Sequence, residues 1–232
     1  MITDLTLAQA ACLDIYNPSA DWDFLWNVDG VQAGLRIIDG EFILCFEGSH
    51  TREDFARDAE TLPVYIDGMG WIHSGFYLGL PALLDAVQSK IAVTARLYIC
   101  GHSLGGSRTY QATLALANAG LKAVKAVGFA PARPGWSDFR DNLLRVGTLL
   151  GGYHNRFDPI PDVPTMPFCQ PIVLTELAVP AAPDDDDPLF KYHHGPLYFE
   201  GVKQCLTNSP SSPQSLQQSA TFVLPVPAPT TA

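Results

Sequence analysis

Residues 97–106 read Leu97-Tyr98-Ile99-Cys100-Gly101-His102-Ser103-Leu104-Gly105-Gly106, an apolar run that breaks on Gly-x-Ser-x-Gly and enters a Leu/Ala-rich stretch. A short apolar run stopped by glycine reads as a buried strand. Leu104 to Ala119, closed by Gly120, reads as a helix. A serine held between the two is a nucleophile elbow. Glycines are needed there because the serine turn is strained and its neighbours must approach without side chains. The turn lifts the Ser103 hydroxyl beyond the strand, and the Leu104 N–H at the helix start faces any oxyanion formed beside it.

Outward from this turn the chain alternates. Downstream come a strand at Ala123 to Phe129, a short helix at Ser137 to Leu143, a strand within Arg145 to Tyr153, and a short strand at Ile172 to Leu177 among recurring prolines. Upstream, Ala92 to Cys100 is the strand entering the elbow, and Ser74 to Lys90 is a helix that Pro81 should kink or break. Thr51 to Thr61 is a charged helical stretch. Ala33 to Ile38 and Glu41 to Phe46 flank Asp39-Gly40, a strong hairpin signal. Thr3 to Tyr16 places Leu5, Leu7, Ala8, Ala11, Cys12 and Ile15 close to one helical face. This alternation predicts an α/β protein with a mostly parallel central sheet and helices on both faces.

The chain has 232 residues, 47% hydrophobic and 16% charged, enough for one large domain with its own core. We place that domain at residues 1–207. Residues 208–232 carry no charge, are rich in Ser, Gln and Pro, and read as a tail. The 24 acidic and 14 basic residues leave a net charge of -10, which argues against a nucleic-acid partner and against docking on anionic membranes. No run of 18 apolar residues predicts a membrane span. Met1 to Leu13 contains Asp4 and no Lys or Arg, so no basic signal region is expected and a cytoplasmic location is favoured. The five cysteines (Cys12, Cys45, Cys100, Cys169, Cys205) are odd in number and lack zinc-ligand spacing. Asp184 to Asp187 reads as a solvated loop rather than a calcium site. No metal or cofactor is expected.

A serine hydroxyl needs a base to take its proton and a carboxylate to orient that base. In α/β-hydrolases the order along the chain is Ser, Asp, His. Asp158, in His154-Asn155-Arg156-Phe157-Asp158-Pro159-Ile160-Pro161, follows a strand and is the first carboxylate candidate; Asp162 is its nearest rival, with Asp138 and Asp141 less well placed. His50, His73, His102 and His154 all precede it, leaving His193 and His194. Neighbouring side chains on an extended segment point to opposite sides, so only one of the two rings can serve. Cys45-Phe46-Glu47-Gly48-Ser49, at the end of the hairpin, can offer an N–H and a hydroxyl to an oxyanion.

Taken together, these segments resemble the class 3, fungal-type lipase family over roughly Ala33 to Phe199. Phe46-Glu47-Gly48-Ser49 is similar to its Phe-Arg-Gly-Ser/Thr segment, His73-Ser74-Gly75-Phe76 to its His-x-Gly-Phe, and Gly101 to Gly106 to its elbow. Asn155 to Pro161 is similar to Asn-x-x-Asp-x-Val-Pro, and His193 to Phe199 to His-x-Gly-x-Glu-x-Trp. The resemblance implies an α/β-hydrolase fold and a catalytic Ser103, Asp158 and His193. It implies an oxyanion hole of Ser49 and the Leu104 N–H. The substrate would be an acyl ester or lipid, with transient contact at a lipid interface and no cofactor. Family members are often secreted. Glu47 stands where the family carries arginine, and Leu197 where glutamate is common. The family's lid corresponds to His50 to Ile72, short and largely charged here, which tilts the expectation towards an esterase. Phospholipase or thioesterase chemistry on the same triad, or an inactive lipid-binding protein, are the alternative readings.

Overall fold

The computed structural model describes residues 1–17, 19–49, 62–179 and 190–208. The helical stretch expected at Thr51 to Thr61, the Asp184 to Asp187 run and nearly all of the tail lie outside them. Among the described residues the main sheet has seven strands in the order β1-β2-β3-β6-β7-β8-β9. These are β1 (Phe24–Val28), β2 (Val31–Ile38), β3 (Glu41–Phe46), β6 (Leu97–His102), β7 (Lys125–Phe129), β8 (Leu149–Asn155) and β9 (Thr175–Leu177). From β3 to β9 every neighbour pair is parallel; β1-β2 and β2-β3 are antiparallel. The expected α/β architecture is present, with an antiparallel edge added to a parallel body.

Period-2 alternation divides the core. Ile43, Cys45, Tyr98, Cys100, Val127 and Phe129 pack with Leu7, Ala8 and Ala11 of α1 (Asp4–Cys12) and with Tyr198 and Val202 of α6 (Gly195–Asn208). Leu44, Phe46, Leu97, Ile99 and Ala126 face the other way. They pack with Leu80, Leu83, Leu84 and Val87 of α3 (Leu80–Gln88) and Ala112 and Leu116 of α4 (Leu104–Asn118). A strand buried on both faces must read as an unbroken apolar run, and β6 does. Thr3 caps α1, and Asp4 ties that helix to the sheet through Lys125 and through the Tyr153 hydroxyl at 2.7 Å.

Several expectations shift. The hairpin at Asp39-Gly40 forms with both residues at positive φ and Ile38 paired to Glu41. A second one, unread in the sequence, forms at Asp29-Gly30 and creates β1. The break in Ser74 to Lys90 falls at Leu78-Gly79 rather than at Pro81, separating α2 (Ser74–Tyr77) from α3. Pro81 lies in the first turn of α3, where a missing N–H costs nothing. The strand expected from Ala92 begins at Leu97, and that expected within Arg145 to Tyr153 lies at Leu149–Asn155. Asn208, taken as the first tail residue, ends α6. Between β3 and α2, β4 (Pro63–Ile66) and β5 (Gly70–His73) form a separate antiparallel pair, and α5 (Ser137–Arg145) precedes β8.

Candidate active site

The carboxyl ends of β3, β6 and β8 converge on one place, where sites form in parallel sheets. Ser103 follows β6 directly, with φ 60° and ψ −127°. Such a backbone costs about 1–3 kcal/mol and persists only where its surroundings enforce it. Here they do. A β-carbon at Gly101 would lie 2.2 Å from the Gly105 carbonyl oxygen, and one at Gly105 would lie 2.3 Å from that of Phe46. Only glycine fits at either position. The Ser103 N–H donates to the Phe129 carbonyl at 2.9 Å, anchoring the turn to β7. Leu104 is the first residue of α4, so no intrahelical carbonyl can take its N–H.

His193 and Asp158 meet Ser103 in space. The Ser103 hydroxyl lies 2.7 Å from His193 Nε2, and His193 Nδ1 lies 2.6 Å from Asp158 Oδ2. All three residues are buried. A carboxylate only accepts, so Nδ1 carries the proton and Nε2 is left to take the hydroxyl's. Asp158 also accepts from the Ile160 N–H at 2.9 Å and from the Tyr198 hydroxyl at 2.6 Å. Tyr198 in turn accepts from the Asn155 N–H at 2.8 Å, so the end of β8, the first turn of α6 and the carboxylate are fixed together. Burial and the neighbouring Asp158 push the Tyr198 phenol well above its usual range, which keeps its proton available to donate.

The adjacent histidines are separated by burial. His193 is 6% exposed, whereas His194 faces solvent and its carbonyl accepts from Leu197 and Tyr198 at the start of α6. The segment is a turn entering a helix, not the extended stretch expected, because Gly195 packs against the end of α1. A β-carbon there would lie 2.4 Å from the Cys12 carbonyl oxygen. The rival residues are elsewhere. Asp162 pairs with Arg133 at 2.8 Å and is exposed; Asp138 accepts from the Trp71 N–H; Asp141 pairs with Arg140. His154 lies on β8 opposite Glu176, and His73 stacks on Phe76. His50 lies outside the described residues.

The Gly48-Ser49 segment backs onto the elbow. A β-carbon at Gly48 would lie 2.7 Å from the His102 carbonyl oxygen and 3.1 Å from Ser103 Cβ. Ser49 Oγ is shielded from solvent and has no hydrogen-bond partner among the described residues. Glu47 is buried beside it. Two residues that sequence reasoning missed belong to this environment, Tyr16 and Tyr198. Tyr16 carries no local signal. Tyr198 does, since Tyr198, Val202 and Cys205 recur at helical spacing. None of the five cysteines is in a disulfide; burial raises the thiols of Cys12 and Cys45 well above the usual range. No group of metal-ligating side chains occurs among the described residues, and no helix among them is long and apolar enough to cross a membrane.

The family model for lipases of class 3 matches residues 43–168. No curated protein sequence matches the chain. Among solved structures, the triacylglyceride lipase of Rhizomucor miehei is similar with a TM-score of 0.60 and 21% identity, over 70% of this chain and 74% of that one. A variant of the Penicillium cyclopium protein MDLA is similar with a TM-score of 0.62 and 16% identity, over 87% and 86%. A triacylglycerol lipase whose catalytic centre is described as a serine protease triad is similar with a TM-score of 0.56 and 21% identity, over 69% and 73%. These likenesses show the α/β-hydrolase fold of the fungal lipases.

Proposed function

The chain belongs to the class 3 lipase family and is a carboxylic-ester hydrolase, and on that premise we propose that it cleaves acylglycerol-type esters through an acyl-enzyme on Ser103. The observation that carries this reading is the continuous relay from Ser103 Oγ through His193 to Asp158, at 2.7 Å and 2.6 Å. Ser103 Oγ attacks the ester carbonyl carbon while His193 Nε2 takes its proton. The carbonyl oxygen becomes an oxyanion, held by the Leu104 N–H and the Ser49 hydroxyl. Asp158 keeps the imidazolium oriented but does not take its proton. Collapse of the tetrahedral species breaks the bond to the alkoxy group, which leaves with the proton from His193. Water, deprotonated by the same ring, then releases the acid.

A fluorophosphonate probe should label Ser103 at unit stoichiometry. On p-nitrophenyl esters from C2 to C16, Ser103→Ala should lower kcat by about 10⁴- to 10⁶-fold with the fold retained. Activity within about tenfold of wild type would refute the assignment. Emulsified triglyceride and phospholipid in the same panel identify the ester class, and a preference for phospholipid would replace the acylglycerol reading.

A further inference from the structure

The turn that follows α1 brings Tyr16 between two segments of the site. Its hydroxyl accepts the Gly48 N–H at 3.0 Å and lies 3.3 Å from His102 Nδ1. An N–H can only donate, so the phenol uses one lone pair towards Gly48, while towards His102 Nδ1 it donates or accepts according to the tautomer of that ring. Burial holds the His102 imidazole well below the usual histidine range, so it is neutral and one nitrogen is an acceptor. Burial likewise keeps the Tyr16 phenol protonated. The fit is close, since a β-carbon at Gly48 would lie 2.5 Å from the Tyr16 oxygen.

Gly48 precedes Ser49, and His102 precedes Ser103. The single phenol oxygen therefore ties the segment bearing the Ser49 hydroxyl to the turn bearing Ser103 and the Leu104 N–H. Upstream, the parallel β3-β6 ladder joins the same two segments and ends with Phe46 beside Gly101; the phenol oxygen bridges them one step beyond it. We propose that Tyr16 is a positioning residue for the oxyanion hole: its hydroxyl sets the placement of Ser49 relative to Leu104. This rests on the serine-hydrolase reading above. Donors aimed at an oxyanion interact most strongly in the transition state, so misplacing them lowers kcat and leaves KM nearly unchanged.

The test is a double-mutant cycle of Tyr16→Phe and Ser49→Ala on one short-chain ester, with kcat expressed per site titrated by a fluorophosphonate so that only folded enzyme is counted. Ser49→Ala should lower kcat by about 10²- to 10³-fold. Tyr16→Phe should lower kcat by about 10- to 100-fold with KM within about threefold. In the Ser49→Ala background, Tyr16→Phe should cost less than about threefold, because the hydroxyl it places is gone. Unchanged kcat in Tyr16→Phe, a rise in KM alone, full additivity of the two variants, or an unaffected Ser49→Ala would each overturn the proposal. The serine-hydrolase reading would survive all four, since it fails only if Ser103→Ala stays active. Should Tyr16→Phe yield no titratable sites, His102→Leu removes the hydrogen-bond partner of the same hydroxyl on the elbow side and is read against the same thresholds.

Discussion

At the elbow, backbone meets backbone: Gly105 sits so close to the end of β3 that a β-carbon would reach the Phe46 carbonyl at 2.3 Å. At the acid–base side, Asp158, His193 and Tyr198 meet only through side chains, at 2.6 Å each. The first half of the site is shaped by steric exclusion within a few residues and between adjacent strands. The second is assembled by hydrogen bonds between segments 35 and 40 residues apart. Damage to the elbow should therefore appear as lost stability. Damage to the acid–base side should appear as lost rate in a protein that still folds.

The largest contrast lies within the second half. His193→Ala should lower kcat/KM by about 10⁴-fold or more, and His194→Ala should stay within about tenfold of wild type. That gap of about a thousandfold corresponds to about 4 kcal/mol assigned to one ring. A dead His194→Ala with an active His193→Ala would contradict the burial difference between them.

Gly105→Ala tests the first half. Overpacking against two carbonyls should destabilise the protein by about 3 kcal/mol, a fall of about 6–12 °C in Tm for a chain of this size. A variant with unchanged Tm would mean that the elbow is not held by steric exclusion. Tyr198→Phe should act on both quantities, more gently. The Asn155 N–H loses its acceptor and Asp158 loses one donor, so we expect about 1–2 kcal/mol in urea denaturation and about a tenfold loss in kcat. Loss of stability with full activity would show that Tyr198 serves β8 and not the carboxylate.

The smallest effect is a pH dependence between the halves, at His102. The folded protein keeps this imidazole neutral because burial depresses its pKa, while the unfolded chain takes up a proton below about pH 6.5. The unfolded state then binds more protons, so stability should fall as the pH drops below about 6.5, by up to about 1.4 kcal/mol per pH unit for one proton. Urea titrations at about pH 7 and pH 5.5 should show a shallower loss for His102→Leu than for wild type. Equal losses would place the acid sensitivity elsewhere.

Much of the first half was legible because its causes are local. Gly101, Gly105 and Gly106 bracket Ser103 within the span of one turn, and a strand and helix flank them in sequence order. Asp39-Gly40 was legible for the same reason, and Asp29-Gly30 carried the same signal unread. His193 was reached through resemblance, since two adjacent histidines are equivalent until the chain says which is buried. The helix that begins at Gly195 was overlooked because Leu197, Tyr198 and Phe199 were absorbed into a motif.

By itself, then, the order of residues determined the elbow and the parallel body of the sheet. Each depends on periodicity, glycine sterics or position along the chain, which a sequence records directly. Only the tertiary structure decided that Gly195 packs on Cys12 and so turns His193 inward, that Tyr198 braces Asp158, and that Tyr16 reaches Gly48 and His102. These contacts join segments whose residue types carry no mark of one another. A hydroxyl finds its partner at about 3 Å through space, and no spacing along the chain encodes that distance.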